Sequence, residues 1–319
     1  LMTFLTSVLL GLCMGSGATF SYYHGRGEQQ KMRACMHSAF VMIGAVAVGL
    51  SVAVQIFLNP ILHFINTPVE VYAMMKQYVF IVFLGIVFLL RALGNSVTPL
   101  IFLGIAAVLN VVWDLLFVLK FHWGLAGAAA ATVMAQAVSG IGLAVYTYVV
   151  EKEYRFSVKS FLQNEKPIGE ILKFSTLTCI QQSVMNFGIL MVQGLVNSFG
   201  TAVMAAFAAA VKVDTFAYMP AQEFGNAYSI FISQNYGAGR RERLREGTRK
   251  AFLVSALFCV FVSFLVWIFS KNLMEIFVKP EETEIIGIGI NYLRIEGAFY
   301  VGIGVLFLLY GFFRGINQP

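Results

Sequence analysis

The chain has 319 residues, 59% of them hydrophobic and only 12% charged. Apolar runs of about twenty residues recur along its whole length, which excludes a soluble globular domain and predicts an all-α membrane protein, a polytopic helical bundle. The net charge of +6 is concentrated in connections, so it reports membrane topology and gives no reason to expect nucleic acid as a partner.

In chain order the apolar segments are 1–23, 35–58, 70–91, 97–120, 124–150, 169–198, 202–235, 249–270 and 286–313. Basic residues cluster after alternate segments: Arg26, Lys31 and Arg33 after the first, Lys152 to Lys173 after the fifth, and Arg240 to Lys250 after the seventh. The connections Asn59 to Glu70 and Asn197 to Thr201 carry no Lys or Arg. By the positive-inside rule the basic set faces the cytoplasm of a plasma (inner) membrane protein. In the first segment Gly11 and Gly15 offer a close-packing face. Cys13, Cys35, Cys179 and Cys259 have neither metal nor disulfide spacing and read as packing residues.

The fourth and fifth segments carry the most informative polar side chains. Asn110 and Asp114 are four apart and share one helical face. A carboxylate within an apolar span is costly and by default marks an ion or substrate pathway. Beyond the turn at Lys120 to Gly124, the small-residue run Gly124 to Ala131 permits close helix approach and then presents Thr132. At 1.5 Å rise per residue, Asp114, Asn110 and Thr132 lie roughly 9, 15 and 13 Å from that turn. Three oxygen-bearing side chains thus fall at one level, a site suited to a proton or a small hard cation such as Na⁺.

An internal repeat sets the architecture. Residues 25–40 (GRGEQQKMRACMHSAF) align without a gap to 237–252 (GAGRRERLREGTRKAF), and the same offset pairs Thr67-Pro68 with Lys279-Pro280. Tyr78 pairs with Tyr292, and Arg91-Ala-Leu-Gly resembles Arg314-Gly-Ile-Asn. Both basic copies lie on one membrane side, so the halves are parallel repeats, and six helices per half are expected with about nine present. The expected division is an N-terminal lobe over 1–150, a cytoplasmic linker over 151–168 and a C-terminal lobe over 169–319. On this reading the sequence is a fragment lacking the first helix and the last two, and the third segment is short relative to its repeat partner.

The residues RALGNSVTPL (91–100), VLNVVWDLLF (108–117), GLAGAAAATVMAQ (124–136), PAQEFGNAYSIFISQNYGAGRRERLREG (220–247) and FFRGINQP (312–319) resemble the multidrug and toxic compound extrusion (MATE) family. The resemblance implies two lobes of six helices and a secondary transporter exporting amphipathic, often cationic organic compounds in exchange for Na⁺ or H⁺. One branch of the family holds a cation with an Asn and an Asp four apart on the fifth helix, a Thr on the sixth and an Asp on the first. Asn110, Asp114 and Thr132 match three of these, and the fourth would lie upstream of Leu1. A second branch uses carboxylates on the seventh and tenth helices, where this chain has Gln181, Gln182 and Asn186, and an uncharged run from Val301 to Val305. Coupling through the N-terminal lobe is therefore expected.

Lys212, Asp214 and Glu223 lie in the seventh segment, with Pro220 between the acids and expected to kink or loosen the helix. Two readings stay open for these charges: a substrate or secondary coupling site, or an internally paired Lys–acid network. Arg294 and Glu296 are placed near a helix end, where they can snorkel. An enzyme is not expected, because no HExxH or GxSxG is present and His24, His37, His63 and His122 fall at or near segment ends. No cofactor is expected beyond the coupling ion; the partners are a small organic substrate and membrane lipid, and the protein is expected to be a monomer. The alternative function is a lipid-linked saccharide flippase of the same superfamily, which would favour a more cationic cavity.

Overall fold

A computed structural model describes residues 2–64, 69–85, 97–150 and 168–316. These form eleven α-helices and no strand: α1 Met2–Arg26, α2 Gln29–Ile56, α3 Leu58–Phe64, α4 Val69–Gly85, α5 Val97–Leu115, α6 Gly124–Val149, α7 Ile168–Asn197, α8 Thr201–Gly237, α9 Arg241–Glu275, α10 Thr283–Ala298 and α11 Tyr300–Gly315. A π-helical turn, Leu116–Lys120, prolongs α5. In their described residues the nine predicted apolar segments are helical, and eleven helices arise because two of them are interrupted, at Phe57 and at Phe299. Helices α2, α6, α7, α8 and α9 are long and apolar enough to cross a membrane, and α10 with α11 forms a further span bent by 50°. Thr67-Pro68, Arg91 to Gly94, most of the 151–168 linker and the shortened end of the third segment lie outside the described residues.

The helices fall into two compact units, Gln30–Leu172 and a second containing Leu1–Gln29 with Lys173–Pro319. These units differ from the repeat-defined lobes, because α1 packs along α8 and is grouped with the C-terminal helices. In the first unit α6 packs on both α4 and α5. Ser51 and Gln55 of α2 donate to the Phe83 and Phe80 carbonyls of α4, a use of main-chain acceptors that suits an apolar solvent. In the second unit α8 is the hub, touching α1, α9, α10 and α11. Pro220 lies inside it, with helix on both sides. Its core joins Ala209, Ala210 and Val213 to Cys259, Val266, Met274, Leu293 and Tyr300.

Small residues set the helix spacing around α1. A Cβ on Gly11 would lie 2.6 Å from Cys179 Cα, and one on Gly15 would lie 2.6 Å from Ser175 Cα, so the predicted close-packing face meets α7. Cys179 Sγ donates to the Val8 carbonyl at that contact. At the basic-loop end, a Cβ on Gly25 would overlap the Gln234 carbonyl oxygen of α8, and a Cβ on Gly237 would overlap the Tyr22 carbonyl oxygen of α1. Gly25 and Gly237 are repeat partners, and Tyr22 and Gln234 stand at the same offset. The contact is therefore reciprocal, as a local two-fold between parallel repeats requires. The following glycines, Gly27 (φ 75°) and Gly239 (φ 67°), both make left-handed turns.

Alanine at Gly25 or Gly237 should therefore lower stability by about 1–3 kcal/mol, because backbone must move to admit it. Gly49→Ala, with nothing within 4 Å of the added carbon, should be neutral or slightly stabilising. Thermal unfolding of the purified variants in detergent measures the difference.

Candidate functional site

The N-terminal candidate site is built where α5 meets α6. Val108, Val111, Val112 and Leu115, all more than half exposed, form an outward apolar stripe on α5. Asn110 and Asp114 are half-buried off that stripe. Close approach of α6 follows from its small residues: Ala129 and Ala131 are fully buried, and a Cβ on Gly127 would lie 3.0 Å from Phe117 Cβ. The turn between the helices needs left-handed backbone at His122 and Gly124, and the rings of Phe117, Phe121 and Trp123 gather over it.

Asn110 Nδ2 donates to Thr132 Oγ1 at 3.4 Å, and the Thr132 hydroxyl donates to the Ala128 carbonyl at 3.0 Å. The two residues placed at one level by counting are thus joined across the helix pair. One turn along α5, Asp114 Oδ1 is buried without a hydrogen-bond partner. Two residues after Asp114 the helix widens into the π-turn, a feature that recurs at functional sites. A buried carboxylate oxygen with no donor from the protein calls for a proton, a cation or a water to meet it. The donor set, one carboxylate with a neutral amide and a hydroxyl oxygen, fits a proton or a cation.

The second set of predicted residues separates. Lys212 places Nζ 5.4 Å from the Phe277 ring centroid and lines an open cleft of about 370 Å³ with Lys279 and Glu282. Asp214, 2% exposed, accepts a hydrogen bond from the Tyr300 hydroxyl. Glu223 accepts from Asn226 Nδ2 at 3.4 Å. Among the described residues no Lys–acid ion pair links these three, so the paired-network reading gives way to three separate environments. Gln182 donates to Met14 Sδ at 3.8 Å and is tied into the α1–α7 packing, while Gln181 Nε2 is buried without a partner. Arg294 stacks 5.0 Å from the Trp267 ring centroid.

Two features escaped the sequence reading. Asn226 bridges Glu223 to Arg314, whose Nη1 donates to Asn226 Oδ1 at 3.1 Å; Arg314 is 6% exposed. In addition, Tyr292, Glu296 and Tyr300 are spaced four apart and gather on Asp214. That spacing was visible in the sequence, whereas the partner helix was not.

The MatE family model matches residues 1–116 and 177–319. The probable multidrug resistance protein YpnP of Bacillus subtilis is 29% identical over 97% of this chain and 70% of its own length. The probable multidrug resistance protein NorM of Thermotoga maritima is 27% identical over 98% of this chain and 69% of its own. Among solved structures, a MOP superfamily transporter from Pyrococcus furiosus superposes with a TM-score of 0.89 at 16% identity, covering 99% of this chain and 73% of that one. The Vibrio cholerae MATE transporter VcmN, in its bent form, gives a TM-score of 0.82 at 20% identity, covering 99% and 73%.

Asp114→Asn removes the charge from a half-buried carboxylate whose Oδ1 is unsatisfied and is expected to leave stability unchanged or raise it by about 1 kcal/mol. Asn226→Ala, which strips a partner from buried Arg314, should cost about 1–3 kcal/mol. Thermal unfolding of the two variants checks the opposite signs.

Proposed function

Because the chain belongs to the MatE family of transporters, we propose that it is a cation-coupled antiporter exporting amphipathic organic cations by alternating access. The observation that carries this reading is the buried, unpartnered Asp114 Oδ1, one helical turn from the Asn110–Thr132 hydrogen bond. With its amide nitrogen engaged by Thr132, Asn110 has its oxygen left to face a cation, and Asp114 supplies the charge. A proton on Asp114 would neutralise the same orphaned oxygen, so Na⁺ and H⁺ are both served by one residue set.

The coupling follows from differential affinity. A cation bound at Asp114 alters the packing of α5 on α6, and substrate and cation each shift the inward–outward equilibrium by the difference in their affinities for the two states. Export of cations by exchange also suits the proposed setting: a plasma membrane protein in lipid, monomeric, with its basic loops in the cytoplasm.

The test is efflux of a fluorescent organic cation from liposomes containing the complete gene product, under an imposed Na⁺ or H⁺ gradient. One gradient should drive efflux, and Asp114→Asn should weaken that gradient-driven component by about 5- to 150-fold. Efflux that keeps its gradient dependence in Asp114→Asn would remove Asp114 from the coupling.

A further inference from the structure

One row of α9 changes from charged to apolar along its length. Arg241, Arg245 and Arg249 are four apart, so they follow one another on the helix surface, and all three are exposed. The row continues into Leu253, Leu257 and Phe261, which are 59%, 62% and 59% exposed. The opposite face packs inward: Ala251, Ser255 and Cys259 are buried, Tyr228 of α8 donates to Thr248 Oγ1 at 2.7 Å, and a Cβ on Gly247 would meet the Phe231 ring. These contacts fix the rotation of α9, so the arginine row points away from α8. The repeat copy has no such row, since Gln29, Arg33 and His37 stand at the same offset and His37 is 3% exposed.

Helical rise gives the depth. Ala251 to Ser270 carries no charged residue, about 30 Å of helix and one hydrocarbon thickness. Arg249 therefore stands at the edge of the apolar layer and Arg245 about 6 Å beyond it, both at headgroup level, while Arg241 stands about 12 Å out. Among the described residues the ion pair in this stretch joins Lys250 to Glu246 at 2.6 Å, off the arginine row. The arginines also crowd the end of α9 where the helix dipole is positive, an arrangement that costs stability unless an anion lies beside them. A lipid whose acyl chain follows Leu253, Leu257 and Phe261 brings its phosphate to Arg245 and Arg249, and the guanidinium fork matches phosphate oxygens. A zwitterionic headgroup adds an ammonium that the row repels; an anionic headgroup adds none.

We propose that Arg245 and Arg249, with Leu253 and Leu257, form a binding site for one anionic phospholipid in the leaflet at the basic-loop end of the helices. The phosphate lies between the two guanidinium groups, and the acyl chain runs along the exposed apolar row of α9. On the topology proposed above that leaflet is the cytoplasmic one. The site shares no residue with the Asp114 cluster and does not depend on how transport is coupled.

Native mass spectrometry of the purified complete gene product tests this, with phosphatidylglycerol or phosphatidylcholine of identical acyl chains added in detergent. Wild type should retain one phosphatidylglycerol about tenfold or more tightly than phosphatidylcholine. Arg245→Gln combined with Arg249→Gln should weaken that retention by about 10- to 30-fold. Lys271→Gln combined with Lys279→Gln removes the same charge near the other end of α9 and should leave retention unchanged. Equal loss in the two double variants would reduce the effect to net charge and overturn the proposal. So would equal retention of the two lipids, or a wild type that retains neither because other parts of the complete protein cover this face. Displacement of the lipid by inorganic phosphate at equal phosphate concentration would make the occupant a soluble anion and overturn the assignment to lipid.

Discussion

The crossing of α1 and α8 is held at main-chain contact. Gly25 and Gly237 let each helix lay its surface on a carbonyl oxygen of the other, with the Tyr22 and Tyr236 rings 6.0 Å apart beside them. In lipid no hydrophobic force draws helices together, so close van der Waals approach and main-chain acceptors must supply the attraction. The rest of the second unit is laid out from this crossing. Helix α8 carries α9, α10 and α11 on its other faces, and α7 is keyed to α1 through Gly11 and Gly15.

Against this background of small residues and apolar packing, polar atoms left without partners stand out. Several hydroxyls close onto a carbonyl one turn back or on a neighbouring helix, as Thr19, Thr132, Thr178 and Ser51 do. Asp114 and Asp214 do not close in this way, since each keeps a buried oxygen without a donor. Both also sit beside an irregularity of their helix system, the π-turn after Leu115 and the break at Phe299. Irregular backbone at membrane depth needs neighbours to satisfy it, which is why it accompanies polar clusters.

The helical passages were legible because long apolar runs have one structural solution in lipid. The level shared by Asn110 and Thr132 was legible too, because helical rise converts counting into depth, and their hydrogen bond lies where the count placed it. The separation of Lys212 from Asp214 could have been read as well: residues two apart point to opposite sides of a helix. What could not be read is pairing across helices. The stripe Tyr292, Glu296, Tyr300 gives a face and no partner, and it passes through a break that a single helical phase does not anticipate. Nor did the repeat announce that its two related helices pack on each other and so draw α1 into the C-terminal unit.

The two glycines of each G-x-G element are fixed for different reasons, and only one of them is negotiable. Gly27 and Gly239 are held by a left-handed φ, which asparagine also tolerates. Gly25 and Gly237 are held by a carbonyl oxygen, and every residue type has that atom in the same place. A side-chain clash can be relieved by trimming the opposing residue; a clash with main chain has no such remedy. The first glycine of each element therefore has no covarying partner, and duplication of an ancestral half would have fixed both copies together.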